Sequence, residues 1–113
     1  MKAILTLKNE DNTSTIIFEE IKDEKLFSCR NGEDEYTVDL REDFNIYMKS
    51  KDHTTKASIK RKGDSNIRIT DINGSILLPI DVLAIKENNG MISLVYKIDN
   101  IKNSINLEFI REV

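Results

Sequence analysis

Three of the four glycines in this chain directly follow an asparagine: Asn31-Gly32, Asn73-Gly74 and Asn89-Gly90. A two-residue hairpin loop of type I′ needs positive φ at both central positions, and Asn and Gly are the residues that tolerate it. The fourth glycine, in Lys62-Gly63-Asp64, also lies between alternating apolar runs. Punctuation of this kind predicts a meander of antiparallel strands. It names neither a reaction nor a ligand.

Further turn-like clusters fall at Glu10-Asp11-Asn12-Thr13, Lys22-Asp23, Lys51-Asp52 and Asp99-Asn100. Between the turns lie ten strand candidates, near residues 3–8, 14–21, 24–30, 35–41, 43–50, 54–61, 65–72, 75–87, 91–98 and 103–111. Short β-branched runs at this spacing are the signature of a sandwich or barrel. No helical apolar period of useful length competes with them. The expected fold is all-β, a single domain over residues 1–113. Its antiparallel up-and-down meander should curl into a small closed barrel, since ten short strands rarely stay flat.

The turns also predict registers. A two-residue loop at Asn73-Gly74 sets Ile69 against Leu78 and Ile67 against Ile80. One at Asn89-Gly90 sets Ile85 against Leu94 and Leu83 against Tyr96. The strand between these turns then points even residues inward at its start and odd residues inward at its end. Period two forbids that without an extra residue, so a β-bulge is expected between Ile80 and Leu83. A three-residue loop at Gly63 would pair Ile59 with Ile67 and Ala57 with Ile69. A four-residue loop from Asp99 to Lys102 would pair Tyr96 with Ile105, Leu94 with Leu107 and Ile92 with Phe109. The last strand needs a neighbour on its other edge, and residues 3–8 or 14–21 are the candidates.

Charge narrows the function classes. The formal net charge is −3, but residues 1–43 carry 6 Lys/Arg against 12 Asp/Glu, whereas residues 49–68 carry 7 against 2. Such asymmetry marks either an anionic partner or a basic hairpin neutralised by acidic neighbours. One cysteine forms no internal disulfide and fits a reducing, cytoplasmic setting. The apolar run after Met1-Lys2 is too short for a signal-peptide core, and no stretch reaches membrane-spanning length.

The catalytic inventory is thin. His53 and Cys29 are single and lack flanking motifs, so no catalytic residue is assigned and no partnership between them is expected. Metal and cofactor sites are likewise not expected, because the chain has two non-carboxylate ligand candidates and no glycine-rich phosphate loop. A candidate basic patch consists of Lys49, Lys51, Lys56, Lys60, Lys62 and Arg68. It has only Tyr47 nearby for stacking, so non-specific phosphate contact fits it better than sequence-specific nucleic-acid recognition.

Several segments resemble one family. Ile59-Lys60-Arg61-Lys62-Gly63 resembles its basic residue and glycine before a hairpin, and Gly74-Ser75-Ile76-Leu77-Leu78-Pro79-Ile80-Asp81-Val82 its long strand. Asn89-Gly90-Met91-Ile92-Ser93-Leu94-Val95-Tyr96-Lys97-Ile98 resembles its Gly-x-Ile-x-Leu-x-Tyr strand, and Asn103-Ser104-Ile105-Asn106-Leu107-Glu108-Phe109 its closing strand. These residues are similar to the YwiB-like proteins, a bacterial family of calycin-like β-barrels. The resemblance implies a closed barrel of lipocalin-like shape. It brings no established function or functional residues with it, and shared barrels host unrelated roles.

The leading functional expectation is a non-enzymatic binding protein for a small apolar ligand or a protein partner. Its candidate interior residues are Leu83, Ile85, Ile92, Leu94, Tyr96, Ile105, Leu107 and Phe109. One alternative is an RNA- or DNA-binding module built on the basic 49–68 hairpin. Another is a carboxylate-based enzyme, which no residue pattern favours.

Overall fold

The structure is a computed structural model describing residues 1–111. No helix occurs among them. The strands are β1 (Lys2–Lys8), β2 (Thr13–Phe18), β3 (Leu26–Asn31), β4 (Asp34–Asp39), β5 (Phe44–Lys49), β6 (His53–Ile59), β7 (Ser65–Asp71), β8 (Gly74–Asn88), β9 (Met91–Ile98) and β10 (Ile101–Ile110). All pair antiparallel in the order β2-β1-β10-β9-β8-β7-β6-β5-β4-β3, an up-and-down meander in which β1 also pairs with β10 and β2 and β3 stand at the two ends. The all-β meander expected from the turns is therefore present, with every expected strand.

The chain divides into two compact units. The first combines Met1–Lys22 with the chain from Asp81 onward. Here β1 lies between β2 and β10, with Leu5 opposite Ile16 on one side and Leu107 on the other. Alternation drives this packing. Ala3, Leu5, Ile16, Phe18, Leu94, Tyr96, Ile105 and Leu107 all point to one buried face, and Leu5 is completely sequestered. Of the two candidates for the neighbour of the last strand, residues 3–8 fill the place.

The second unit is Asp23–Ile80, in which the first half of β8 and β7, β6, β5, β4 and β3 follow one another. Its apolar row runs Phe27–Val38–Ile46–Ala57–Ile67–Leu78 across six strands. Residues on the other parity form a polar face.

Register departs from expectation at three turns. The Asn89-Gly90 loop closes as predicted, with Asn88 opposite Met91 and Ile85 opposite Leu94. At the Asn73-Gly74 site the loop is Ile72-Asn73 instead, so Ile67 meets Leu78 and Ile69 meets Ile76. The Asp71 carboxylate accepts from Asn73 N–H at 2.7 Å, and this Asx turn moves the loop one residue back. The Gly63 loop is longer than three residues: Ala57 meets Ile67, and buried Ser65 accepts the Lys60 N–H at 2.8 Å to close its base. The last loop is shorter than expected, only Asp99-Asn100, so Leu94 meets Ile105 and Ile92 meets Leu107. Each shift is two residues in register, which leaves every side chain on its intended face.

The bulge lies between Val82 and Ala84, making Leu83 the extra residue. Tyr96 therefore pairs with Val82 rather than Leu83, and Leu83 is 51% exposed instead of interior.

Candidate functional site

Of the expected interior set, Leu94, Tyr96, Ile105 and Leu107 are buried and packed as core of the first unit. Ile85, Ile92 and Phe109 are half-buried, and Leu83 faces solvent. Burial pushes the Tyr96 hydroxyl above its ordinary pKa.

The feature with a built arrangement of polar groups is the outer face of the second unit. Three cross-strand rows organise it. One runs Asp39–Asn45–Ser58–Asn66, the next Thr37–Tyr47–Lys56–Arg68, and the third Glu35–Lys49–Thr54–Thr70. A depression of about 670 Å³ lies over the first two rows, bounded also by Arg41, Glu42, Asp43 and Lys60.

The two-residue register shift at the Gly63 loop decides its chemistry. The expected pairing of Ala57 with Ile69 would set Arg68 beside Ser58; it stands directly opposite Lys56. Two cations facing each other across a ladder repel. The Lys56 ammonium rests over the Tyr47 ring, 5.3 Å from its centroid, an arrangement that holds it on the sheet. Among the described residues, neither Lys56 nor Arg68 has a carboxylate within ion-pair distance.

Acidic groups occupy the rim, where the β4–β5 turn brings them, and most are already engaged. Asp39 accepts from the Arg41 guanidinium at 3.0 and 2.8 Å and from its backbone N–H at 3.1 Å. Those side-chain bonds, then the backbone bond, with a smaller field from Lys56, hold the Asp39 carboxyl at about 2, against an ordinary 3.8. Asp43 accepts from the Arg61 N–H at 3.4 Å, and Arg61 stacks 4.5 Å from the centre of the Phe44 ring.

The candidate basic patch is thus divided. Lys56, Lys60 and Arg68 border the depression. Lys49 and Lys51 lie along a second groove with Arg30, Glu33 and Glu35. Lys62 is exposed in the β6–β7 loop. Sequence reading missed Asp39, Arg41, Asn45 and Asn66 at the site. Their alternation with the apolar row Val38–Ile46–Ala57–Ile67 was the available signal.

Cys29 lies on β3 opposite Tyr36, whereas His53 begins β6 opposite Asp71, with β4 and β5 between these strands. Burial raises the Cys29 thiol, which makes it a poorer nucleophile. Among the described residues no three His, Cys, Asp or Glu side chains converge as a metal site would require. Comparison with protein-family models, curated proteins and solved structures finds no match to this chain.

Proposed function

We propose that the chain is a non-enzymatic binding protein whose ligand is a small anion, held on the polar face of the second unit. One observation carries this reading: Lys56 and Arg68 oppose each other, and among the described residues neither has a carboxylate within ion-pair distance. A phosphate or carboxylate bridging them converts a repulsive pair into two charge-assisted hydrogen bonds. Ser58 and Asn66, adjacent in the next row, add neutral donors.

The same geometry disfavours the nucleic-acid alternative. Lys56 covers a face of Tyr47 on which a base would stack, and the rim carries Asp39, Glu42 and Asp43 across the path of a long polyanion. The apolar-ligand reading draws no support from Leu94, Tyr96, Ile105 and Leu107, which already fill core. The YwiB-like resemblance assigns no residues here, so the reading rests on the face itself.

Titration with inorganic pyrophosphate at low salt tests it. Saturable shifts in the amide spectrum around Ser58, Asn66 and Arg68 are expected, and they should weaken as salt rises. Arg68→Ala and Lys56→Gln should each abolish them, while Lys62→Gln, on the loop outside the depression, should leave them intact. Unsaturable shifts, or equal binding by Arg68→Ala, would refute the assignment.

A further inference from the structure

β8 is fifteen residues long, but β9 pairs with it only from Asp81 to Asn88. Among the described residues the stretch Gly74–Ile80 has a ladder on one side only, to β7. Natural edge strands are blunted by charges or covered, because an open row of N–H and C=O groups invites another strand. This edge has neither charge nor cover, and Pro79 is its one blunting residue. From Ile72 to Ile80 no residue is charged, in a chain one-third charged overall. On the strand Ile76 is 62% and Leu77 51% exposed, and Ile72 in the preceding turn is 97% exposed, whereas Leu78 is half-buried and Ile80 buried.

We infer that this edge pairs with the same edge of a second copy, giving a two-fold dimer by antiparallel strand addition. The occupant follows from the edge itself. An antiparallel two-fold is self-complementary, matching each donor with an acceptor of identical chain, and it is the commonest symmetry of homo-oligomers. Two identical copies meet here without like-charge contact, because the segment is neutral throughout.

Pro79 fixes the phase. A proline within a ladder directs its missing donor toward the open edge, so Ser75 and Leu77, of the same parity, present their backbone groups outward. Centring the two-fold on Leu77 sets Leu77 against Leu77 of the partner subunit, Ile76 against Leu78 of the partner subunit, and Ser75 against Pro79 of the partner subunit, where the proline forgoes one backbone bond at each end. Asp71 and Asp81 then fall outside the paired segment. An interface of one strand pair and a few side chains is smaller than that of a typical stable dimer, so association should be concentration-dependent.

Sedimentation equilibrium of the full chain, from about 1 µM to about 1 mM, covers the range in which such a dimer assembles. A monomer–dimer equilibrium is expected. Amide exchange at Ser75 and Leu77 should slow as concentration rises. Leu77→Glu gives each monomer a carboxylate beside its own Arg68, the cross-strand neighbour, so folding should survive. In the dimer the two glutamates oppose each other, and the dissociation constant should rise at least tenfold, with partial recovery at high salt. A wild-type chain that stays monomeric throughout this range overturns the inference. So does a dimer whose concentration-dependent protection lies away from Ser75 and Leu77. A Leu77→Glu variant that melts cooperatively yet dimerises like wild type has the same consequence.

Discussion

Asp39 illustrates how much a single side chain organises at the candidate site. Arg41 follows it by two residues, so one turn supplies both the guanidinium and the backbone N–H that the carboxylate accepts. The carboxyl is thereby held near 2. The unfolded chain has an ordinary carboxyl there, so between about pH 4 and pH 2 the unfolded state binds a proton that the folded state does not. The stabilising contribution is complete above the ordinary value and disappears as pH falls through 2. Carboxyl NMR titration should place the Asp39 midpoint at about 2. Arg41→Ala should return it toward 3.8, while Lys56→Gln should move it much less. A wild-type midpoint near the ordinary value would show that the Asp39–Arg41 pair does not persist in solution. The cations Lys56, Lys60 and Arg68 were legible in the sequence, because basic residues stand out in a single run. Their acidic rim was not, since Asp39 ends β4 and Asp43 lies in the turn after it, and only the ladder geometry brings both alongside.

At the scale of the element, turns decided how far reading could go. The three Asn-Gly pairs sit at three different places: Gly32 is the first loop residue after Asn31, Asn89-Gly90 is the loop itself, and Gly74 already belongs to the returning strand. At none of them does the asparagine have positive φ. The loop with both central residues left-handed is Asp99-Asn100, at φ values of 48° and 66°, between Ile98 and Ile101. Asn and Asp both tolerate that region, so dipeptide identity alone does not locate the loop. Asn100→Gly should therefore be neutral or stabilising by up to about 1 kcal/mol, whereas Asn100→Val should cost about 1–2 kcal/mol. Chemical denaturation of the two variants checks this, and an undisturbed Asn100→Val would contradict the left-handed turn. Strand faces survived these errors because alternation fixes parity. The bulge was legible for the same reason, as a conflict of parity along one strand. Which residue it expelled was not, and Leu83 went from expected core to surface.

For the molecule as a whole, the consequential pairing joins the beginning of the chain to its end. β10 lies between β1 and β9, with seven residue pairs to the one and eight to the other. Phe109 donates its N–H to the Gly90 carbonyl at 2.8 Å, extending the β9 side past the ladder. A side chain at Gly90 would begin 3.4 Å from the Phe109 carbonyl, an ordinary contact, so it is the φ of +76° that favours glycine there. Leu107 and Ile105 complete the buried row that Leu5 and Leu94 begin. Removing the chain from Asn103 onward strips two ladders of backbone bonds and two core side chains together. It also leaves β1 and β9 as open edges with apolar faces. The expected result is loss of the cooperative transition of the first unit, visible as disappearance of amide protection across β1, β2 and β9. Point changes should be milder: Leu107→Ala should cost about 2–5 kcal/mol, and Phe109→Ala, only half-buried, less than the 3–5 kcal/mol of a fully buried aromatic, by rough analogy with other cores. A truncated chain that melts cooperatively near the intact protein's temperature, with β1 still protected, would mean that β10 is a dispensable edge rather than the strand on which both ends of the chain depend.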